Sequence, residues 1–264
     1  MAGTLCPSIM AAMGSRGRKT SLVTRGLRLV RLAIHLLQGV LTVGFLFPFY
    51  SKARCRLAIR RWSRAMLRIL GVQVHVHDAP AVVRPLMFVV NHVSWLDIFA
   101  LNSVTPVRFV AKSEIRDWPA IGWLSAKTGT LFIERGRRSD TARVNRLIAE
   151  AMLKGDVVAV FPEGTTTDGT EVLRFHSSLL QPVLIAAAVV QPVALRFAHH
   201  DGALCKEAAY DGDKSLWHTL LQIVALRRID AHLYFLPLLT ADVPHRRTLA
   251  DAARSAIVNR LQQH

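Results

Sequence analysis

The sequence has few of the residues that define several common protein classes. Its 264 residues include only three cysteines, and its 18 acidic residues are outnumbered by 34 lysines and arginines. Cys6, Cys55 and Cys205 are odd in number and scattered, which argues against a disulfide framework and favours a reduced cytosolic setting. No internal repeat is visible, so the pattern does not indicate a solenoid or a propeller.

The shortage of acidic residues leaves a formal net charge of +16 at pH 7 and a pI near 11.1. Such a charge favours polyanionic partners, namely nucleic acid, anionic lipid or a phosphorylated substrate. Hydrophobic residues make up 51% of the chain, more than in an ordinary soluble domain. A single domain with one sizeable core and a membrane-associated part fits these numbers.

The N-terminal region contains an apolar run that could enter a membrane. Residues 1–20 are rich in Gly, Ser and Ala and make a poor signal peptide, so we expect a disordered tail there. Leu32 to Phe49 is apolar and of about the minimum length for a spanning helix. Because basic residues flank it on both sides, we expect a membrane-embedded hairpin that enters the cytoplasmic leaflet and returns. A single span is the alternative.

The next stretch, Ala53 to Leu70, predicts a basic amphipathic helix. One face carries an arginine stripe at positions 56, 60, 64 and 68, and the other carries Cys55, Ile59, Trp62, Met66 and Ile69. This pattern suits an anionic bilayer surface, and a helix packed on the core with a solvated basic face is the alternative. No motif that recognises the grooves of DNA or RNA accompanies the arginines, so nucleic acid is not expected as a partner. Residues 21–71 are thus predicted to be a membrane-associated helical segment.

From residue 72 onwards, strand and helix patterns alternate. We predict strands at 72–77, 86–90, 107–111, 129–133, 157–161 and 232–239, helices near 119–127, 139–153, 216–226 and 247–261, and a buried helix followed by a strand within 179–197. Such alternation predicts an α/β domain over residues 72–264, with a mixed, largely parallel sheet flanked by helices.

The first polar cluster follows the apolar strand at 86–90. His92 and Asp97 are five residues apart and would not share a helical face, so they can meet only if His92 precedes the helix. We expect Ser94 to be the N-cap and Asp97 to lie in the first turn. Asp97 could then accept a hydrogen bond from one imidazole nitrogen and leave the other as a base. A capped turn without a catalytic role stays open at this point.

Two more clusters follow later strands. Arg135 comes just after the strand predicted at 129–133, and its planar guanidinium could donate two parallel hydrogen bonds to a phosphate. Lys112 is a second cation just past another strand. Glu163 and Gly164 follow the strand at 157–161. Gly164 permits close backbone approach, so its N–H could meet a ligand, and Glu163 could hold a hydroxyl or a cation.

The clusters form four blocks in a fixed order. They are Asn91-His92-x4-Asp97, Gly129-x-x-Phe132-Ile133-x-Arg135, Phe161-Pro162-Glu163-Gly164-Thr165 and Pro192-Val193. This order resembles the glycerolipid acyltransferases, the lysophosphatidic acid acyltransferase family. The resemblance implies that His92 is the general base and Asp97 its orienting partner, and that Arg135 contacts the acceptor phosphate. It also implies that Glu163, Gly164 and Thr165 shape the acceptor site.

The same resemblance implies a reaction. A fatty acyl group would pass from an acyl thioester, carried by coenzyme A or acyl carrier protein, to the free hydroxyl of a lysolipid, most closely 1-acylglycerol-3-phosphate in phospholipid biosynthesis. The thioester is a co-substrate and no other cofactor is implied. The expected location is the cytoplasmic face of the inner membrane.

Two positions depart from the family pattern. Thr166-Thr167-Asp168 stands where a basic residue is common, and Gln191 precedes the proline where an apolar residue is usual. The Glu-Gly-Thr-Thr form, with the later stretch Tyr210-Asp211-Gly212-Asp213, is similar to the branch that includes the lyso-ornithine lipid acyltransferases. That acceptor is therefore an alternative.

Functions of other classes are also open. The protein could be a non-catalytic module that binds anionic membranes through its His and Arg clusters. A metal-dependent hydrolase could use His199, His200 and Asp201, but consecutive residues cannot all converge on one ion without strain. His75 and His77 point the same way on one strand, yet they lack nearby ligands at matching spacing.

Overall fold

The computed structural model describes residues 19–118, 120–133, 138–212, 214–240 and 245–263. Nearly all of the predicted tail, as well as Arg135 and Asp213, lies outside these residues. The described helices are α1 (Leu22–Leu41), α2 (Lys52–Leu70), α3 (Leu96–Val104), α4 (Ile121–Lys127), α5 (Arg138–Leu153), α6 (Gln181–Ile185), α7 (Leu216–Ala225) and α8 (Arg246–Leu261). The described strands are β1 (Val72–His77), β2 (Leu86–Val90), β3 (Arg108–Lys112), β4 (Leu131–Ile133), β5 (Val157–Val160), β6 (Val189–Ala198) and β7 (Ile229–Phe235).

The described strands form one seven-stranded sheet in the order β1-β7-β6-β2-β5-β3-β4. β6, β2, β5, β3 and β4 run parallel to one another, β7 is antiparallel to β6, and β1 is parallel to β7. The prediction of a mixed, largely parallel sheet is therefore confirmed. The five parallel strands end at the same edge of the sheet, called the carboxyl edge below, where ligands bind in open α/β sheets.

Helices cover both faces of the sheet. Every residue of β2 has 0% exposure, and its side chains alternate between two apolar clusters. One cluster joins Leu86, Phe88 and Val90 to α2, α3 and α7, and the other joins Met87 and Val89 to α5 and α8. A strand that is buried on both faces has a continuous apolar sequence. The apolar sequence of β2 predicts a strand for this reason.

The N-terminal apolar segment is one uninterrupted helix. Ser21 caps α1 by accepting a hydrogen bond from the Thr24 N–H, and the helix continues through a π-helical turn and a 3-10 turn to Phe49. Leu22–Phe49 is long and apolar enough to cross a membrane by length and composition, which indicates membrane association, and only 22% of its most apolar window is buried. The predicted return within 32–49 is wrong, because Pro48 lies in the first turn of the 3-10 segment, where its missing N–H breaks no hydrogen bond.

The chain instead reverses after Phe49 and returns as α2, which packs on protein. Trp62 stacks on His35 of α1 with ring centroids 4.6 Å apart, and its indole N–H donates to the His35 carbonyl at 3.1 Å. Met66 is 2% exposed and Ile69 is 9% exposed. The apolar face of α2 that was expected to contact lipid thus lies mainly against α1, α3 and the sheet, because that packing removes it from water.

The arginine stripe of α2 is also partly engaged. The Nε groups of Arg60 and Arg64 donate to the Ser103 carbonyl at 3.4 and 2.7 Å. Ser103 lies in the last turn of α3, so these two cations satisfy an orphan carbonyl at the negative end of that helix. Gly71 follows α2 in the left-handed conformation, with φ +78°, which glycine adopts without steric cost and which starts β1 in the right direction.

Candidate active site

The turn between β2 and α3 brings His92 to Asp97. His92 Nδ1 and Asp97 Oδ2 are 2.7 Å apart, and His92 precedes the helix as predicted. α3 begins at Leu96, one residue later than predicted, but Ser94 makes the expected capping contact, because its hydroxyl oxygen accepts from the Leu96 N–H at 3.3 Å. Asp97 ties the turn together from inside the helix: its Oδ2 also accepts from the N–H groups of Val93 at 2.9 Å and Ser94 at 3.0 Å.

The Asp97 carboxylate is fully buried, at 0% exposure, whereas the His92 side chain is 21% exposed. A carboxylate only accepts hydrogen bonds, so His92 Nδ1 must carry the proton of the 2.7 Å contact. The neutral imidazole then has its lone pair on Nε2, which can take a proton from a substrate. Among the described residues, no Lys or Arg forms an ion pair with Asp97, so a protonated His92 would be its charge partner.

Glu163, at the end of β5, holds the main chain of His92. Its Oε1 accepts from the His92 N–H at 2.7 Å and its Oε2 accepts from the Leu173 N–H at 2.7 Å. The residue is 4% exposed, and burial raises the pKa of its carboxyl although the two N–H groups oppose the shift. Both oxygens are therefore used by backbone donors, and the expected contact with a hydroxyl or cation is absent from its described hydrogen bonds.

The segment after Glu163 completes this support. The Thr167 N–H donates to the His92 carbonyl at 3.0 Å, so the next block holds the peptide groups on both sides of His92. The Tyr210 N–H donates to the Val93 carbonyl at 2.9 Å, and the Thr166 hydroxyl donates to the Tyr210 carbonyl. Thr166 and Thr167, which depart from the family pattern, thus fix the position of His92.

Sequence reasoning missed the roles of Asn91 and Phe161. The Asn91 side-chain amide donates to the Leu195 carbonyl at 2.9 Å and accepts from the Leu195 N–H at 2.7 Å, which extends the β2–β6 pairing by one residue. The His92 ring stacks on Phe161, with centroids 4.0 Å apart and planes 14° apart. Both residues belong to the sequence blocks, but nothing in their spacing indicates these contacts.

Gly164 and Thr165 form a turn on the carboxyl edge. Gly164 has φ +73°, which favours glycine, and its N–H donates to the Phe161 carbonyl at 3.2 Å. The turn uses this N–H in the described structure, and its contact with a ligand stays a prediction. Thr165 is exposed beside it.

The predicted headgroup cations lie further along the edge. Lys112 is exposed at the end of β3, but strand alternation places it on the opposite face of the sheet from Phe109, whose ring stacks with Phe161. The described contacts do not join Lys112 to His92 or Asp97. Arg135 lies outside the described residues, so its part in the site stays a prediction.

The residues considered for a metal-dependent hydrolase do not converge. His200 is 80% exposed, with Nδ1 3.9 Å from Asp230, and Asp201 accepts a hydrogen bond from the Ala203 N–H at 3.0 Å. His199 turns instead toward Glu207, with Nε2 3.1 Å from the carboxylate. The consecutive triplet is therefore not a ligand set.

Comparisons with known proteins show the family of the chain. The family model described as Acyltransferase matches residues 72–196, which contain the His92 turn and Glu163. The chain is 37% identical over 199 residues to the lyso-ornithine lipid O-acyltransferase of Pseudomonas aeruginosa, covering 75% of this chain and 76% of that protein. The chain belongs to the acyltransferase family.

Within that family, the chain is similar to proteins with two different names. It is 34% identical over 238 residues to the 1-acyl-sn-glycerol-3-phosphate acyltransferase of Neisseria meningitidis, covering 90% of this chain and 88% of that one. The crystal structure of the LPA acyltransferase PlsC from Thermotoga maritima superposes with a TM-score of 0.67 over 90% of this chain and 97% of that chain. At 18% identity, this likeness shows the shared fold.

Proposed function

We propose that the protein transfers a fatty acyl group from an acyl thioester to the free hydroxyl of a lysolipid, with coenzyme A or acyl carrier protein as the thioester carrier. The 2.7 Å contact between His92 Nδ1 and the buried Asp97 carboxylate carries this proposal. It lies at the carboxyl edge, where Glu163 and Thr167 fix the main chain of His92. The names of the related proteins support the acyl acceptor class.

In this mechanism, His92 Nε2 takes the proton of the lysolipid hydroxyl as the oxygen attacks the thioester carbonyl carbon. The new C–O bond forms a tetrahedral intermediate, and its collapse breaks the C–S bond. His92 returns the proton to the departing thiolate, so the products are an ester and a free thiol. Asp97 orients the imidazole and stabilises the imidazolium between the two steps.

The geometry favours direct transfer over a covalent acyl-enzyme. Ser94, next to the dyad, has 0% exposure, and its hydroxyl oxygen accepts from the Leu96 N–H at 3.3 Å. Cys205 is 1% exposed, and burial together with Glu207 raises the pKa of its thiol to about 12. A buried thiol that keeps its proton is a poor nucleophile.

Two measurements test this mechanism. His92→Ala should reduce the rate of product formation by roughly 10²–10⁴-fold, as expected for loss of a general base. Intact-protein mass spectrometry of the wild type with donor and no acceptor should show no added acyl mass. Near-normal transfer by His92→Ala would overturn the assignment of the base, and a stoichiometric acyl adduct would overturn direct transfer.

We propose 1-acylglycerol-3-phosphate as the acceptor. Lys112 is the last residue of β3, and Arg135 comes two residues after β4 in the sequence; β3 and β4 are adjacent strands that end on the same carboxyl edge as β2. β3 is separated from β2 only by β5, so its end lies about 10 Å from that of β2. Lys112 lies on the other face of the sheet from Phe109, so we propose that its long side chain reaches over the carboxyl edge and, with Arg135, meets the phosphate of a lysolipid whose hydroxyl is at His92. Thr165 would line the path between them.

Lys112→Ala tests the headgroup contact, with Lys127→Ala on the neighbouring α4 as the matched control. We expect KM for lysophosphatidate to rise about three- to tenfold for Lys112→Ala, with kcat nearly unchanged, because one exposed charge contact is lost. Equal KM values in the two variants would remove Lys112 from the site.

Lyso-ornithine lipid is the second candidate acceptor, because Asp168 stands where a basic residue is common in the family. Asp168 forms an ion pair with Lys206 at 2.8 Å, so this part of the site is less cationic than the family pattern implies. A competition assay with equal concentrations of both acceptors and one labelled thioester decides between them. Phosphatidate as the main product supports the first acceptor, and acylated ornithine lipid supports the second.

We propose that the protein works at the cytoplasmic face of the inner membrane, bound through α1. Large apolar side chains along one side of α1 are exposed: Val23, Leu27, Val30, Ile34, Leu37 and Leu41. The double variant Ile34→Asp and Leu37→Asp should move the protein from the membrane to the soluble fraction. Leu153→Asp, at a position of α5 that is 62% exposed, should not. For the face, Lys154→Cys should react with an impermeant thiol reagent in inside-out vesicles and stay unreacted in intact cells.

A further inference from the structure

We propose that His199, Cys205 and Glu207 bind one zinc ion, and that this ion stabilises the segment that supports the His92 turn. The three residues follow β6 and offer one nitrogen, one sulfur and one oxygen ligand atom, all within 4.8 Å of one another. A mixed N, S and O set of this kind suits zinc, whereas magnesium and calcium prefer oxygen ligands alone. The site is separate from the His92–Asp97 pair.

The spacing of the atoms is close to that of a tetrahedral zinc site. Zn–N and Zn–O bonds of about 2.0–2.1 Å and Zn–S bonds of about 2.3 Å require ligand atoms roughly 3.3–3.6 Å apart at tetrahedral angles. The observed distance is 3.1 Å between His199 Nε2 and Glu207 Oε2, and 3.7 Å between Cys205 Sγ and the same oxygen. The ligand atoms of His199 and Cys205 lie within 4.8 Å of each other, so side-chain shifts of up to about 1 Å would complete the site.

The main chain already holds the three ligands in place. The His199 N–H donates to the Ala203 carbonyl at 2.7 Å, and the Cys205 N–H donates to the Phe197 carbonyl at 3.0 Å. These bonds form a tight reversal after β6 that brings Cys205 back beside His199. Glu207 follows in a 3-10 turn at Lys206–Ala208. A ligand set fixed by backbone hydrogen bonds loses little conformational freedom when a metal binds.

Two of the three side chains are buried. His199 is 8% exposed, and the ligand atom it would offer is Nε2, 3.1 Å from Glu207 Oε2, whereas its buried Nδ1, which has no hydrogen-bond partner among the described residues, would not bind the ion. Cys205 is 1% exposed, and zinc would displace its thiol proton on binding. The Glu207 side chain is 41% exposed, which leaves an opening through which the ion and a water as fourth ligand could arrive.

The ion would link β6 to the support of His92. The segment that carries Cys205 and Glu207 continues to Tyr210, whose N–H donates to the Val93 carbonyl at 2.9 Å. Lys206, between the two ligands, forms an ion pair with Asp168 at 2.8 Å. Zinc at this site would therefore restrain the segment that holds the His92 turn in place. It would not contact the substrate.

Cobalt substitution tests the proposal directly. The tag-free chain in detergent is treated with chelator, dialysed and titrated with Co²⁺, and the near-ultraviolet charge-transfer band of a cobalt–thiolate bond is followed. We expect one Co²⁺ per chain with this band, and its displacement by one Zn²⁺. Cys205→Ser should abolish the band, whereas Cys55→Ser on α2 should leave it intact. A metal held by histidines elsewhere would lack the thiolate band.

Thermal unfolding gives a second readout that does not depend on activity. Zinc should raise the Tm of the chelator-treated wild type and of Cys55→Ser by several degrees, and should leave the Tm of Glu207→Gln nearly unchanged. Absence of the thiolate band, or a band that survives Cys205→Ser, would overturn the proposal. A zinc-dependent rise in Tm that is equal in Glu207→Gln and in the wild type would remove Glu207 from the ligand set.

Discussion

In the described part of the chain, two His–Asp pairs share the same 2.7 Å contact, His92–Asp97 and His75–Asp230. The first lies where β2 ends, and its carboxylate is otherwise held by backbone N–H groups. The second joins β1 to β7, with His75 partly exposed and Asp230 buried, and its carboxylate also accepts two hydrogen bonds from the Arg228 guanidinium, at 2.9 and 2.7 Å. The contact distance alone therefore does not distinguish a catalytic pair from a structural one.

The difference lies in what else the carboxylate contacts. Asp97 has no cation of its own in the described structure, so it stabilises a positive charge on His92. Burial tends to raise the pKa of Asp230, but hydrogen bonds and charges from Arg228 and His75 outweigh it and lower the pKa. Asp230 thus already has a cation, and it has less to offer a protonated His75. A pair used for proton transfer needs the first arrangement.

The largest expected effect separates the two histidines. His92→Ala should lower kcat/KM by roughly 10²–10⁴-fold, because the general base is lost, whereas His75→Ala should leave kcat/KM within about twofold. Steady-state acyl transfer with purified variants measures both. Equal losses in the two variants would show that they reflect damage to the sheet, and the assignment of the catalytic pair would fail.

Substitution of the two aspartates should distinguish the two pairs in the same way, through kcat at Asp97 and through Tm at Asp230. Asp97→Asn should lower kcat by about 10²-fold or more while the protein stays folded, since the amide oxygen can still accept the Val93 and Ser94 N–H groups. Asp230→Asn should lower Tm, because Arg228 and His75 lose their anion, with kcat nearly unchanged. Thermal unfolding and initial rates on the same samples give the comparison. If Asp97→Asn lowered Tm enough to account for its loss of activity, the result would contradict a catalytic role for Asp97.

Glu163→Gln tests whether the His92–Asp97 pair, proposed as catalytic, depends on its backbone support. A glutamine has only one acceptor oxygen for the two N–H groups of His92 and Leu173, so the turn should shift. We expect kcat to fall about tenfold, with KM within about twofold, because a misplaced base slows the chemical step. Glu171→Gln, at a nearby exposed position, is the control. A change in KM alone would indicate that Glu163 binds the acceptor instead.

The smallest expected effect is a change in how stability depends on pH, and it arises from His232, a neighbour of the second pair. Burial, together with the charges of His75 and His77, lowers the pKa of His232 to about 4. Asp230 opposes this shift and Arg196 adds to it. Because an unfolded histidine titrates near about 6.5, the unfolded chain binds the extra proton first as the pH falls. This contribution to stability is present at neutral pH and is lost between about pH 6.5 and pH 4.

His232→Asn should therefore show a smaller fall in Tm between pH 7.5 and pH 4.5 than the wild type, by a few degrees. His218→Asn, which removes an exposed histidine of α7, should behave like the wild type. An unchanged fall in Tm for His232→Asn would show that other groups cause the acid sensitivity.

Much of the fold follows from the sequence because its signals are local. The continuous apolar run of β2 and the periodicity of α5 and α8 predict these elements to within one residue. The blocks around His92 and Glu163 indicate that both residues lie at strand ends. The return inside 32–49 was wrong, because glycine and proline can be accommodated where a helix changes its hydrogen-bonding pattern.

The roles within the site are harder to predict, since they depend on contacts between distant segments. Glu163 accepts from the His92 N–H although the two are 71 residues apart in the sequence, and Asn91 bonds to Leu195, which is 104 residues away. Ser94 matched a capping pattern and does accept from the Leu96 N–H, but the pattern did not show that Asp97 Oδ2 also accepts from the Val93 N–H. A sequence pattern gives residue types and spacing, but it does not say which carboxylate oxygen meets which N–H group.

The sequence by itself determined the acyltransferase blocks and the strand-and-helix order, and it allowed His92 to meet Asp97 across a strand-to-helix turn of five residues. Only the tertiary structure decided that Glu163 faces backbone N–H groups, that the apolar face of α2 packs on protein, and that His199 meets Cys205 and Glu207. The physical reason is that a buried polar atom must find a partner, and only the folded chain decides which one is within reach.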